Sequence, residues 1–379
     1  MKILLIGEYS RLHNSLKEGL SALGHEVIIV GTGDDFKKLN TDFSIASKFT
    51  DKYRLLKKMS NALLKLTGFD VARTEKGLRF YNLLPKLKGF NHVQLINSDA
   101  LETQPAFAKW MLKQLLKHNK SMSLLVCGDE TPVIDYCLLG QFKYSILTPY
   151  LNDKSLKNHY AYSLKYINNS HRDLFNFIQS LAKCIITSDI DYQIPMHKMG
   201  YSTRLIPNPV NLDKISFAPL VISNKVVIFL GINKLSYIKK GIAYFEEALK
   251  QIQRKYAERV EIIVTENIPY LEYIELYKRA HIVLDQVYAY DQGYNALEAM
   301  AKGKVVFTGA EAEFTSHYNL IQKVAINALP NVESLVNELS YLIDNPDEIV
   351  AVGKRARNFI EQHHDYIKVA EKYLEAWGI

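Results

Sequence analysis

The chain has no apolar run approaching the ~20 residues that span a bilayer, and its opening run, residues 3–6, ends at once in Gly7-Glu8. That stretch reads as a buried first strand rather than as a leader, since Arg11 follows and no small-residue cleavage site does. Cysteine is scarce: Cys127, Cys137 and Cys184 lie far apart, without the spacing of a zinc site or a disulfide framework. This usage suits a reducing cytoplasm. The common phosphate and catalytic signatures are also missing. After the first run, Gly7 is followed by Glu8-Tyr9-Ser10-Arg11 and the next glycine is Gly19, so there is no dinucleotide fingerprint. Asp34 and Asp35 sit where a ribose-binding acid would, but without those glycines. Gly303-Lys304 is no Walker A loop, and neither HExxH nor GxSxG occurs.

What is present describes a folded protein of two domains. Over 379 residues, 48% are hydrophobic and 23% charged, which excludes a disordered chain and exceeds one ordinary core. Residues 3–6, a helical pattern at Leu12, Leu16, Leu20 and Leu23, and residues 27–30 form a βαβ unit in about 30 residues. Further strand-like runs fall at 93–96, 124–127, 144–147 and 184–187. A second series, at 226–230, 260–264, 282–284 and 305–308, follows Pro207-Asn208-Pro209. Apolar runs alternating with helices predict parallel sheets buried on both faces. The α/β chain therefore divides into two Rossmann-like halves, residues 1–207 and 208–355, with a last helical segment at 356–379.

The net charge of +7 is uneven. Between 48 and 88 stand eleven basic residues (48, 52, 54, 57, 58, 65, 73, 76, 79, 86, 88) against Asp51, Asp70 and Glu75. Leu55, Leu56, Met59, Leu63, Leu64 and Leu66 recur at near-helical spacing among Arg54, Lys57, Lys58 and Lys65. One reading is a solvated helix whose leucines enter the core; the other is a basic amphipathic stretch lying on an anionic membrane. No nucleic-acid-binding signature accompanies the charge.

The most informative stretch runs from Asp285 to Val306. A strand meets a loop with Gly293, then a helix carrying Glu298 and closed by Gly303, then another strand. Backbone N–H groups around Gly293, Tyr294 and Asn295 and the positive end of the helix suit a diphosphate, and Glu298 suits ribose hydroxyls. The bland alternative is a capping box, Asn295-x-x-Glu298. Gly231-Ile232-Asn233-Lys234 and Lys239-Lys240-Gly241 end another strand and open a helix; Lys234 and Lys240 would offset phosphate charge or stand as surface lysines. In the first half, Asp129 and Glu130 follow the run at 124–127, as site residues or as a plain turn with Pro132, and His13 either faces an acceptor or lies on the surface. His363-His364-Asp365 is set aside as a metal site, and Asp189-Ile190-Asp191 lies in the first half, so no metal site is expected.

The segment 293–306 resembles the donor-site segment of the large retaining glycosyltransferase family with the GT-B fold, usually called family 4, whose pattern is roughly E-G-F-G-x-x-x-x-E-A-M-A-x-G-x-P-V-V. Gly293, Glu298, Ala299, Met300, Ala301, Gly303, Val305 and Val306 fit it, and Lys234 with Lys240-Gly241 is similar to the family's basic pair. Gly24-His25-Glu26-Val27 and Ile206-Pro207-Asn208-Pro209-Val210 resemble its opening turn and interdomain segment. Three positions depart: Tyr290 stands at the first glutamate of the pattern with Asp291 one place off, lysine replaces arginine at 234, and Lys304 replaces the proline.

The resemblance implies two Rossmann-like domains facing across a cleft, with the last helix returning to the first domain. It implies a hexosyltransferase-type enzyme of polysaccharide synthesis, using a nucleotide-diphosphate sugar and a saccharide or lipid-linked acceptor without cofactor or metal. Asp129, Lys234 and Lys240 would be catalytic. Gly231, Asn233, Lys234, Lys240, Gly293, Tyr294, Asn295 and Glu298 would hold the donor, and His13 and Glu130 would line the acceptor side. The expected location is cytoplasmic, with peripheral membrane contact as the further possibility. An epimerase or phosphorylase of the same fold and an inactive partner module are the rivals.

Overall fold

A computed structural model of the chain describes residues 1–34, 39–266, 268 and 270–379. It contains two parallel sheets. The first has seven strands, β1 (Lys2–Ile6), β2 (Glu26–Gly31), β3 (Phe43–Ser44), β4 (His92–Leu95), β5 (Met122–Val126), β6 (Ile185–Thr187) and β7 (Arg204–Leu205), in the order β3-β2-β1-β4-β5-β6-β7. The second has five, β8 (Val226–Ile232), β9 (Val260–Glu266), β10 (Ile282–Leu284), β11 (Val305–Thr308) and β12 (Ile326–Asn327), in the order β12-β11-β10-β8-β9. Every described strand pair is parallel. The central strands are buried on both faces by helices, and among their apolar side chains β4 and β5 carry the buried polar His92, Gln94 and Ser123. Strand order reverses between β1 and β4 and again between β8 and β10, the places where such sheets bind ligands.

Two compact units carry these sheets: residues Met1–Tyr136, Ala161–Pro209 and Tyr366–Ile379 in the first, Cys137–Tyr160 and Val210–Asp365 in the second. This division differs from the expected one at two places. Residues 137–160 belong to the second unit because Phe142 and Tyr144 pack on Tyr290, at ring-centroid distances of 5.0 and 5.5 Å, and the Tyr144 hydroxyl donates to Glu311. The expected strand at 144–147 is absent for the same reason. Its apolar side chains anchor a turn, with Thr148 N donating to Ser145 O at 2.9 Å, ahead of the helix Thr148–Asn152.

At the other end, the helix Pro346–His363 stays with the second unit, where Ala356, Phe359 and Ile360 enter its core. Only Tyr366–Trp377 joins the first. Tyr366, Val369, Ala370, Tyr373 and Trp377 form its buried stripe, the i, i+3, i+4, i+7, i+11 pattern of one helix face. That stripe seats on Leu12–Ala22: a Cβ at Gly19 would lie 2.2 Å from Tyr366 O. Trp377 stacks on His92 at 4.4 Å and donates Nε1–H to Gln94 at 2.9 Å.

The leucines at 55–66 of the basic stretch do not enter the core. In the helix Arg54–Thr67 the buried residue is Ser60, while Leu55, Met59 and Leu66 are 70%, 60% and 84% exposed. No described helix is long and apolar enough to cross a membrane.

Candidate functional site

The reversal in the second sheet brings together most of the donor residues expected from the sequence. β8 ends at Ile232 and its loop runs through Asn233, Lys234 and Lys240 to Gly241; β10 ends at Leu284 and runs through Asp285 to Gly293. Lys240 Nζ bonds Asp285 Oδ1 at 2.6 Å, and Val287 N donates to Lys240 O at 3.0 Å, so the two loops are tied across the reversal. Asp285, which the sequence did not single out, is buried. Gly241 is required here: its φ is +64°, and a Cβ would meet Val287 Cγ2 at 2.3 Å.

Lys234 is exposed and pairs with Glu266 at 2.5 Å. It borders a depression of about 300 Å³ that Tyr160 and Lys239 also line, near the lower limit for a small-molecule site. Asn233 is turned inward on the chain: its Oδ1 accepts Leu235 N at 3.0 Å and caps the turn Lys234–Ser236. Gly231 is half-buried against Tyr273, which a Cβ would approach to 3.0 Å. A larger open depression of about 550 Å³, near Lys323 and Tyr341, holds none of these residues.

The helix carrying Glu298 spans Tyr294–Ala301 with Gly293 at its N-cap. Asn295 therefore lies inside the helix, where it cannot head a capping box with Glu298. Gly293 brings no side chain of its own to cap this N-terminus, and the first N–H groups of any helix lack acceptors within it. Gly293 has ordinary backbone angles, φ −73° and ψ 167°, and a Cβ there would meet only Gln286 Nε2, at 3.8 Å. Nothing internal demands a glycine at this position. Tyr294 and Glu298 are half-buried and Asn295 is exposed.

Two of the departures, at Tyr290 and Lys304, are buried in the fold. Tyr290 is buried, its hydroxyl accepting Lys143 N at 3.1 Å, and presents no carboxylate. Asp291 is also buried and accepts Gln292 N at 2.7 Å. Glu311 is the nearby acid: it takes Lys143 Nζ at 3.0 Å, Asn327 Nδ2 at 2.9 Å and the Tyr144 hydroxyl. Burial raises its pKa, but these donors outweigh that and hold the carboxyl below its ordinary range. Lys304 is buried with Nζ on Ala280 O at 2.6 Å and Lys278 O at 3.1 Å; burial pushes it down to about 8.

At the first reversal, two acceptor-side expectations change. His13 is neither exposed nor turned outward: it is fully buried with Nδ1–H on Gly7 O at 2.6 Å, and burial lowers its pKa to about 4. Glu130 is fully buried too. It accepts Ser98 N at 2.7 Å, Ser98 Oγ at 2.6 Å and Thr131 N at 2.9 Å, so it joins the end of β4 to the helix Thr131–Leu138. Burial, countered in part by those bonds, raises it to about 7. Asp129 is half-buried, accepting Ser163 Oγ at 2.5 Å, after Gly128 at φ +87°.

Other charged groups at this edge went unnoticed in the sequence. Glu8 is buried, accepts Asn14 N and Nδ2 at 2.7 and 2.5 Å through Oε2, and leaves Oε1 without a partner among the described residues; burial raises it to about 7. Asp99, also buried, binds Arg73 at 2.7 Å and Lys165 at 2.8 Å. These come from positions 73, 99 and 165, and only the fold unites them.

Asp34 accepts Ser10 N at 2.9 Å, while Asp35 lies outside the described residues. Asp189 caps the helix Ile190–Lys198 through Tyr192 N. No cluster of three metal-ligating side chains occurs among the described residues; His363 ends a helix, and the following His364 O accepts Val210 N at 2.7 Å.

Residues 242–375 match the family model described as glycosyl transferase-like. The sequence has no significant match among curated proteins. Among solved structures, sucrose-phosphate synthase from Thermosynechococcus elongatus is similar at 16% identity and a TM-score of 0.64, covering 100% of this chain and 98% of that one. Anabaena HepE in complex with UDP and glucose is similar at 12% identity and a TM-score of 0.59, covering 100% and 99%. UDP-GlcNAc 2-epimerase from Neisseria meningitidis, bound to UDP-GlcNAc, is similar at 12% and 0.54, covering 100% and 99%. At these identities the structural likeness establishes the fold. The chain thus has the GT-B fold, and its residues 242–375 match a glycosyl transferase-like family model.

Proposed function

We propose that the protein moves a sugar from a nucleotide-diphosphate donor to a hydroxyl of a saccharide or lipid-linked acceptor, with retention, in surface polysaccharide assembly. The observation that carries this reading is the Lys240–Asp285 tie across the second reversal, beside the helix that begins after Gly293. A lysine ammonium has three donors, so its bond to Asp285 does not exhaust it. As the bond between sugar and diphosphate breaks, negative charge grows on the leaving phosphate. Lys240 is the cation placed to offset it. Lys234 contributes more weakly, because its exposed pair with Glu266 is screened by water and exchanges readily. The open space at Gly293 lets phosphate oxygens approach the backbone, and Glu298 accepts hydrogen bonds from the ribose.

Retention follows if the acceptor attacks from the face the leaving group departs, its proton passing to the leaving phosphate. No dedicated base is then needed. Asp129 is the half-buried carboxylate of the first unit assigned to orient the acceptor, whereas Glu130 and His13 act through the backbone they brace. HepE and the epimerase were solved with UDP or UDP-sugars, which makes UDP-sugars the first donors to try.

The test is nucleotide release from UDP-, GDP- and ADP-sugars. Acceptor-dependent release with at least one is expected. Glu298→Gln should weaken nucleotide binding by about 1.5–3 kcal/mol, the scale of a charge-assisted hydrogen bond. Turnover should persist in excess EDTA, since cationic side chains serve the phosphates. Loss that magnesium or manganese restores would refute this metal-free mechanism. A second reading, an inactive partner module, draws on Tyr290, which buries an aromatic ring where the family carries an acid. Nucleotide binding without release from any donor would establish it.

A further inference from the structure

The helix Arg54–Thr67 is presented in a way that its own packing does not explain. Successive helix residues are about 100° apart, so positions separated by three and four share a face. Three stripes result. Ser60, flanked by the less exposed Leu56, Leu63 and Leu64, faces the protein. Leu55, Met59 and Leu66 form a second stripe, 70%, 60% and 84% exposed. Arg54, Lys58 and Lys65 form a third beside it, all exposed. A second apolar stripe, as large as the protein-facing one, therefore points away from the protein, where an ordinary surface helix is polar. Exposed apolar side chains in a row, unlike scattered ones, mark an interaction surface.

Charge narrows the occupant. Residues 52–67 hold five cations (Lys52, Arg54, Lys57, Lys58, Lys65) and no acid. A second copy docking through the same face would oppose like charges across a twofold axis. Parallel apolar and cationic stripes instead match the layering of an anionic bilayer, acyl chains beneath phosphate headgroups. Aromatic rings flank the helix on both sides. Phe49 and Tyr53, 5.8 Å apart, precede it and Phe69 follows it, all exposed, the residue type that settles at the headgroup level.

The helix is also held firmly at its ends. Before it, Glu75 accepts Phe49 N, Thr50 N and Thr50 Oγ1 at 2.8, 2.8 and 2.7 Å; after it, Gly68 turns the chain at φ +74° and Asp70 caps the next helix, Val71–Leu83.

We propose that the helix Arg54–Thr67 is a membrane-docking element that inserts Leu55, Met59 and Leu66 into the interface of an anionic bilayer, with Arg54, Lys58 and Lys65 on its headgroups. This holds whether or not the transfer reaction is as proposed, because vesicle binding is measured without substrates. Full-length protein is floated with phosphatidylcholine vesicles and with vesicles containing phosphatidylglycerol, at low and high salt. Binding to the anionic vesicles alone is expected, falling steeply in high salt.

A triple variant, Leu55→Ser, Met59→Ser and Leu66→Ser, and a charge-reversed triple, Arg54→Glu, Lys58→Glu and Lys65→Glu, should each lower partitioning at least tenfold, given about fivefold per basic residue. Their thermal unfolding should match the parent, since all six side chains are exposed. In L66W, tryptophan emission should shift to the blue with anionic vesicles and stay unchanged with neutral ones. Equal recovery in the supernatant with both vesicle types would overturn the proposal. So would a concentration-dependent dimer that the serine variant abolishes, which would assign the stripe to a second copy.

Discussion

Both sheets reverse strand order once, yet the two reversals are armed with opposite chemistry. Beside β1 and β4 stand buried acids: Glu8 and Glu130, each raised to about 7 by burial, and Asp99 held between Arg73 and Lys165. Beside β8 and β10 stand lysines on short helical turns, with Lys240 paired to Asp285 and Lys234 to Glu266. One topology therefore gives one edge that holds protons and another that offers positive charge. The second suits a diphosphate. The first suits an uncharged, hydroxyl-rich molecule, because its acids are largely satisfied from within. The contrast is tested by removing its parts in turn.

The largest effect on turnover should come from the cation at the second reversal. Lys240→Met leaves Asp285 buried and unpaired, so the informative variant is Lys240→Met with Asp285→Asn. Its turnover should fall roughly 10²–10³-fold, about 3–4 kcal/mol, as for loss of one preorganised donor to developing charge. Asp285→Asn alone should turn over normally, since it keeps the lysine. Comparable losses in both single variants, matched by lower thermal stability, would make the pair a structural tie and weaken the contrast between the edges.

How far this contrast was legible in the sequence varied with the scale of the feature. Long apolar runs announced the central strands of both sheets. The two-residue edge strands Phe43–Ser44, Arg204–Leu205 and Ile326–Asn327 are too short to leave a pattern. Residues 144–147 carried a strand's composition, but buried aromatic side chains anchoring a loop have the same composition.

Local motifs singled out Lys240, Gly293 and Glu298, and the fold places them on the segments that follow β8 and β10. Asp285 as the partner of Lys240 was not, because that pairing depends on which strands are neighbours. The capping box failed by a small shift in register, with the helix capped by Gly293 rather than Asn295. The burial of Glu130 and His13 was not legible either, because each satisfies backbone groups at a strand end that only the fold defines.

The next effect compares a glycine at each edge. Gly7 has φ +85°, and a Cβ would sit 2.2 Å from Ile96 Cγ2. Gly7→Ala therefore adds left-handed strain to an overpacked contact and should cost roughly 3–5 kcal/mol of stability. Gly293→Ala meets no such conflict. It should cost about 1 kcal/mol or less, the difference between glycine and alanine at an N-cap, while nucleotide affinity falls disproportionately. Denaturant unfolding and nucleotide titration on both variants separate the two costs. An unfolding penalty at Gly293 as large as that at Gly7, or nucleotide affinity unchanged by Gly293→Ala, would mean that this glycine serves the fold and not a ligand.

The smallest expected effect is a pH dependence belonging to the first edge. Glu8 is raised from 4.5 to about 7, so between those values the folded state binds a proton that the unfolded state has released. Stability from this group is therefore greatest below pH 4.5, declines as pH rises, and levels off above about 7. Glu130 acts in the same direction over the same window. Glu75 acts oppositely and lower: backbone and side-chain donors from Phe49, Thr50 and Arg79 overcome its burial and depress it to about 2, so its contribution is lost as pH falls from 4.5 toward 2.

Glu8→Gln keeps an oxygen for Asn14 and removes the charge. It should be more stable than the parent by roughly 2–3 kcal/mol at pH 7.5 and nearly equal at pH 4.5, from the size of the shift. Urea unfolding across that range measures it. A variant whose stability runs parallel to the parent at every pH would show that Glu8 is ionised without penalty, and the first edge would then hold no proton there.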